Sequence, residues 1–226
     1  MTNAEHWERQ AERWAAWARR PDETYWRESG PPFFELLPKP GRRTLDLGCG
    51  EGRVTRDLKA RGHRVVGIDA ARTLVRLANE ADPRGEYLVG DAADLPFEDG
   101  DFDLVVAFNT LMDFDDMPGA VREAARVLEP TGRLCACITH PMRDAGRFAT
   151  SDPDAPFVIV GEYFGQRRFE LTVTRDEHEV RFRGWTYPLE DYTRALEESG
   201  FLIEAIREPP DPDRPLPNFL LIRAVK

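Results

Sequence analysis

Thr44-Leu45-Asp46-Leu47-Gly48-Cys49-Gly50-Glu51-Gly52 is the stretch that decides the fold. A short apolar run, Arg43 to Leu47, ends in three glycines at alternate positions, and Arg53 to Arg61 then reads as a helix closed by Gly62. Glycines suit a strand-to-helix turn of this kind because the chain turns tightly and a ligand must lie on the backbone without a Cβ in the way. The helix behind them offers free N–H groups and the positive end of its dipole to an anionic part of that ligand. A glycine-rich turn that binds nothing is the plainer alternative, and the surrounding chain decides between them.

Outward from the turn, strands and helices alternate. Arg64 to Ile68 reads as a second strand, Ala71 to Glu80 as a helix and Glu86 to Val89 as a third strand. Phe102 to Phe108 is nearly all apolar, as a strand covered on both faces must be. Pro118 to Leu128 reads as a helix, and Thr131-Gly132 as a turn into a fifth strand, Arg133 to Thr139. Such alternation implies a parallel sheet with right-handed crossovers. Before it stand a helix, Ala4 to Arg20, with Trp7, Trp14 and Ala18 on one face, and a Pro-rich joint at Pro31-Pro32. After it, Phe169 to Thr174 and Glu179 to Phe182 read as an inserted β-hairpin, and Leu189 to Ser199 as a helix. Phe201 to Arg207 and Phe219 to Val225 then pair antiparallel.

Carboxylates stand where a nucleotide would need them. Asp69 ends the second strand, roughly 20 residues past the glycines, where an acid can accept hydrogen bonds from both ribose hydroxyls. It can equally cap the helix that follows. Asp91, in Gly90-Asp91-Ala92, can accept an adenine amine while the next N–H donates to the ring, and Asn109 ends the fourth strand. The dinucleotide spacing G-x-G-x-x-G is not met, since Gly48, Gly50 and Gly52 are followed by Arg53.

Asp46-Leu47-Gly48-Cys49-Gly50-Glu51-Gly52, Gly67-Ile68-Asp69, Gly90-Asp91-Ala92-Ala93-Asp94-Leu95-Pro96-Phe97 and Phe102-Asp103-Leu104-Val105 together resemble the class I S-adenosylmethionine-dependent methyltransferases. The nearest likeness is to the group holding ubiquinone and menaquinone biosynthesis enzymes and natural-product tailoring enzymes. It spans Thr44 to Thr139 and returns more weakly at Leu189 to Pro209. The resemblance implies a doubly wound, Rossmann-like, seven-stranded α/β sheet with its last strand antiparallel, in one domain. Within it, residues 1–40 are expected as a helical cap, 41–140 as the cofactor core, 141–188 as a hairpin lid, and 189–226 as the closing helix and two strands.

The same resemblance implies S-adenosyl-L-methionine as cofactor, with Gly48, Cys49, Gly50 and Gly52 under its methionine part and Asp46 approaching it. It places Asp69 on the ribose, Ala70 and Leu74 against the adenine, Asp91 and Ala92 at the adenine edge, and the Asn109 backbone near the amino group. The implied reaction is in-line displacement of the sulfonium methyl by an oxygen, nitrogen or carbon nucleophile, with no metal.

Acceptor determinants are expected outside the shared core, at Tyr25, Trp26, Met112, Tyr163 and Trp185. Phe157, Phe164 and Tyr187 complete an aromatic lid that walls an apolar pocket or else forms a satellite core. His140, directly after the fifth strand, is the first candidate for general base. Asp113 and Tyr163 are the others, and some acceptors need no base. Asp115 and Asp116 could face the site as well, though a run such as Asp113, Asp115 and Asp116 more often makes a solvated helix start. His178 is expected at an exposed hairpin tip, and His6 and His63 at the periphery.

Composition narrows the partners. The net charge is −10 and the basic residues are scattered, against a nucleic-acid surface. Asn109-Thr110-Leu111-Met112 stands where base-methylating enzymes carry an Asn/Asp-Pro-Pro-Tyr tetrad. No window approaches the ~18 apolar residues of a membrane span, and Met1 to Arg20 lacks the apolar stretch of a signal peptide, so a cytoplasmic location is expected. Cys135 and Cys137 alternate on a strand and are expected as core thiols. A small-molecule acceptor is therefore expected, with a peptide or protein acceptor, or a non-catalytic cofactor-binding protein, as alternatives. Oligomeric state stays open.

Overall fold

The computed structural model describes residues 1–20 and 24–226, so positions 21–23 of the expected cap lie outside the described residues. Helix α1 (Asn3–Ala18) starts at a reciprocal cap in which the Thr2 hydroxyl accepts the Glu5 N–H and the Glu5 carboxylate accepts the Thr2 N–H. A π-helical turn, Tyr25–Ser29, runs straight into α2 (Gly30–Leu36). The Pro-rich joint is thus helical. Pro31 and Pro32 fall in the first turn, where no N–H is needed and a fixed φ is already helical.

The alternating core follows as β1 (Thr44–Leu47), α3 (Arg53–Ala60), β2 (Val65–Asp69), α4 (Arg72–Ala81), β3 (Glu86–Val89), β4 (Phe102–Phe108), α5 (Met117–Val127) and β5 (Leu128–Thr139). Strand β5 begins earlier than expected. Thr131 adopts φ +69° inside it, and its register with β4 shifts between Phe102 and Leu104. The rest of the chain forms α6 (Pro141–Asp144), β6 (Gly146–Phe148), β7 (Phe157–Ile159), β8 (Arg167–Arg175), β9 (His178–Thr186), α7 (Leu189–Glu198), β10 (Leu202–Arg207) and β11 (Phe219–Val225). The β6–β7 ribbon was not anticipated, and the β8–β9 hairpin is longer than expected, closing through Asp176-Glu177 with Asp176 at φ +53°.

Seven strands form one sheet in the order β10-β11-β5-β4-β1-β2-β3, with β11 antiparallel to both its neighbours. Side chains alternate between its faces. Val105, Ala107, Leu134 and Ala136 pack toward α5 and α7, whereas Leu104, Val106, Cys135 and Cys137 pack with Phe33, Val54 and Leu58 of α2 and α3. Both thiols are buried and free, as their alternation implied.

Helix α1 lies across α4 and β9. Ala11 packs on Ala71 and Leu74 with Trp7 and Trp14 alongside, and Trp7, Trp14 and Trp17 stand edge-on around Phe182 of β9 at 6.0–6.3 Å. His6 is buried and donates from Nε2 to the Arg181 carbonyl at 2.8 Å. His63 is buried against the Thr44 hydroxyl. Neither is peripheral, and burial lowers the pKa of both. His178 is half-buried. The terminal helix and the hairpin thus meet as a roof beside the carboxyl ends of the parallel strands.

Candidate functional site

The three glycines after β1 all have positive φ, +76°, +55° and +81°, but for different reasons. A Cβ on Gly48 would lie 2.7 Å from the Thr110 methyl, and one on Gly52 would lie 2.9 Å from the Tyr87 ring. Those two glycines admit neighbouring protein. At Gly50, among the described residues, the one atom within 4 Å would be Trp14 Nε1 at 3.5 Å. Gly50 is the open one.

Asp69 holds this loop in shape. Its carboxylate accepts the Gly50 N–H at 2.9 Å and the Ala71 N–H at 2.8 Å, so one side chain fixes both the glycine turn and the entry to α4. Opposite, the Thr110 hydroxyl donates to the Leu47 carbonyl at 2.9 Å, tying the end of β4 to the end of β1, and Asn109 sits at φ +55°. Between these ends and the roof lies a cleft of about 1050 Å³. A drug-sized ligand fills roughly 300–1,000 Å³, so there is room for two molecules side by side.

Gly48, Cys49, Gly50, Asp69, Ala70, Leu74, Asp91, Ala92 and Asn109 all line this cleft. Asp46 and Gly52 do not. Asp46 is buried behind the loop and accepts the Thr55 hydroxyl at 2.6 Å. Burial, reinforced by the charge of Asp69, lifts its pKa to about 7. Burial also raises the pKa of Asp69.

On the acceptor side the expected residues divide. Tyr25 and Met112 line the cleft, Tyr25 with its hydroxyl donating to Asp57. Trp26 is exposed and stacks edge-on against Tyr25. The Tyr163 hydroxyl accepts the Leu189 N–H at 2.9 Å, at the start of α7, and Trp185 packs on the main core beneath the Arg168 guanidinium. Phe157 pairs with Phe148, Phe164 is exposed, and Tyr187 is buried against Tyr192. The aromatic wall is instead supplied by Trp7, Trp14, Phe114, Phe169 and Phe182. The seven-residue spacing of Trp7 and Trp14 was visible in sequence, as was the alternation of Phe169, Val173 and Arg175 that turns one face of β8 to the cleft.

Of the three candidate bases, only Asp113 lines the cleft. Burial, with the nearby charge of Asp69, raises its pKa well above the usual carboxylate range. His140 is buried at the start of α6. Its Nδ1 accepts the Met142 N–H at 3.2 Å, and its Nε2 donates to the Glu208 carboxylate at 2.9 Å. With both ring nitrogens engaged, the imidazole caps a turn. Asp116 caps α5 through the Gly119 N–H, and Asp115 accepts the Asn3 N–H.

Residues 45–136, from β1 into β5, match the family model described as a methyltransferase domain. These residues are thus similar to a methyltransferase domain. Over 115 residues, 51% of this chain, it is 35% identical to a demethylmenaquinone methyltransferase of Corynebacterium kroppenstedtii and covers 48% of that protein. Over 105 residues, 43% of this chain, it is 42% identical to nocamycin O-methyltransferase of Saccharothrix syringae and covers 38% of it. The match therefore spans about half, or less, of these curated relatives. An S-adenosylmethionine-dependent methyltransferase from Mesorhizobium loti superposes with a TM-score of 0.73 at 25% identity, covering 91% of this chain and 99% of the other.

The Mesorhizobium loti protein is named for its dependence on S-adenosylmethionine, and the residues present in this cleft fit that cofactor. Gly50 leaves open the space a Cβ would fill, and each Asp69 oxygen keeps a lone pair beyond the N–H it already accepts. Among the described residues, no group of three or more His, Cys, Asp or Glu is placed to hold a metal. No helix there is long and apolar enough to cross a membrane.

Proposed function

We propose that this protein transfers a methyl group from S-adenosylmethionine to a small-molecule acceptor bound under the roof. One observation carries the reading: the open glycine, the Asp69 carboxylate and an aromatic-walled space share a single cleft large enough for both reactants. The cofactor, when bound, supplies a methyl already activated on a sulfonium, so the protein's task is orientation and exclusion of water.

In this reading Gly50 carries the methionine part, Asp69 takes the ribose hydroxyls, and Ala92 and Asp91 border the adenine. Trp7, Trp14, Phe169 and Phe182 keep water from the transfer. Asp113 takes the proton of an acceptor that must lose one, and its raised pKa makes it a stronger base than an ordinary carboxylate. The cap, core, lid and closing segments divide as 1–40, 41–140, 141–188 and 189–226, and the enzyme works in the cytoplasm. The two curated relatives, whose names refer to a quinone precursor and to nocamycin, support an acceptor of small-molecule size.

S-adenosylhomocysteine should raise the melting temperature in a concentration-dependent way, because a ligand that binds only the folded state stabilises it by mass action. NAD should not. A shift with NAD and none with S-adenosylhomocysteine would overturn the reading.

A further inference from the structure

The acids around the cleft are not equivalent. Asp69 accepts two backbone N–H groups, Asp91 accepts the Ala93 N–H, and Asp116 accepts the Gly119 N–H. Asp115 takes the Asn3 N–H and faces Arg168 at 3.7 Å, and Glu51 is held by Arg56 and Arg19. Asp113 differs. It ends the helical turn Leu111–Asp113 and lines the cleft, and among the described residues its carboxyl has no hydrogen bond and no ion pair. Its backbone is fixed, since the Asn3 side chain donates to its carbonyl at 2.9 Å.

Its surroundings are apolar. A Cβ on Gly184 would meet the Asp113 carboxylate at 2.8 Å and the Phe169 ring at 2.9 Å, so acid and ring border the same glycine. Met112 and Phe114, its chain neighbours, line the cleft with them. Of the arginines that line the cleft, Arg53 donates to the Ala18 carbonyl and lies over Tyr25, Arg175 lies over Trp17, and, among the described residues, Arg72 at the start of α4 makes no ion pair with Asp113. A carboxylate left unpaired in such a place is costly unless a cation arrives to meet it. Aromatic faces around a cleft favour the same kind of visitor.

The geometry points to an acceptor that is a cationic amine on an aromatic or apolar body, its ammonium seated on Asp113 and its body against Met112, Phe114 and Phe169. The inference rests on the transferase reading above and adds to it the charge and shape of the acceptor. The proton an amine must shed before it can act as a nucleophile then has its receiver in contact with it.

The test uses the full-length protein saturated with S-adenosylhomocysteine. Phenethylamine and tryptamine are titrated calorimetrically beside 2-phenylethanol, tryptophol and 3-phenylpropionate. The amines should bind about tenfold or more tightly than the alcohols, the scale of one charge-assisted hydrogen bond, and the carboxylate should bind weakest. Asp113→Asn should bring the amines down to the level of the alcohols with the affinity for S-adenosylhomocysteine unchanged. Asp113→Glu should keep a preference for amines. Alcohols or the carboxylate binding as well as the amines, no amine binding at millimolar concentration, or amine affinity unchanged in Asp113→Asn would each overturn the inference. Failure of S-adenosylhomocysteine to bind the wild-type protein would instead overturn the transferase reading, which separates the two.

Discussion

Gly50→Ala separates a glycine kept for a ligand from one kept for packing. The residue sits at φ +55°, where an L side chain costs roughly 1–2 kcal/mol. Its new methyl would meet only Trp14 Nε1 at 3.5 Å, an ordinary contact that adds no strain. Unfolding should therefore be easier by about 1–2 kcal/mol, a loss of roughly 2–8 °C in melting temperature for a chain of this size. The methyl occupies the space against which the cofactor's methionine part is proposed to lie. An unwanted methyl in a filled site costs about 1–3 kcal/mol, roughly five- to a hundred-and-fifty-fold in affinity. Gly48→Ala is the control. It bears a similar backbone cost at φ +76° and also drives its methyl to within 2.7 Å of the Thr110 methyl, so its stability should fall by about 2–5 kcal/mol. Differential scanning calorimetry and titration with S-adenosylhomocysteine read the two quantities apart. Gly50→Ala binding the ligand as tightly as wild type would refute a cofactor lying on this loop.

Asp46 makes a pH signature. Its folded pKa of about 7 lies above the ordinary aspartate value of 3.8, so between those values the folded state binds more protons than the unfolded one. Stability from this group is then full below about pH 4 and is lost as pH rises toward 7. Asp46→Asn, which can still accept the Thr55 hydroxyl, should be more stable than wild type at pH 8 in urea melts, with the difference vanishing toward pH 4; the opposite sign would show that Asp46 is stabilised as an anion. His140→Gln should cost about 1–2 kcal/mol through two lost hydrogen bonds while the turnover number holds. A fall of ~10²–10⁴-fold in turnover, with the acid limb gone from the pH–rate profile, would make His140 the general base.

What could be read in the sequence was what depends on neighbours in sequence. The strand–glycine–helix turn needs only local conformations, and β4 announces its burial in seven nearly continuous apolar residues. Asp69 was legible as a carboxylate ending the second strand but not as the anchor of the Gly50 N–H, which requires the register of β2 beside β1. Proline misled at Pro31-Pro32, because its strongest signal is punctuation and its tolerance of a helix's first turn is positional. Aromatics in the inserted segment were expected outside the shared core, yet which of them face the cleft is set by hairpin register. Phe169 and Phe182 turn inward while Trp185, beyond Gly184, turns onto the main core. His140 stood at the right edge of the sheet. Only the return of Glu208 and the capped Met142 N–H, one of them 68 residues away, shows that its nitrogens are committed.

The roof joins the two ends of the chain's timeline. Asn3 reaches 110 residues to the Asp113 carbonyl, and His6 reaches 175 to the Arg181 carbonyl. The pairs β1–β2, β1–β4 and β4–β5, by contrast, link residues much closer together in sequence. On a ribosome the parallel strands can find one another while α1 waits, already made, for a hairpin not yet synthesised. The cleft is therefore completed by long-range contacts between α1, the turn after β4 and the hairpin, at the rim of the sheet. Segments held in this way open first when the native state fluctuates. A ligand between roof and loop adds its binding energy to the contacts that hold the two together.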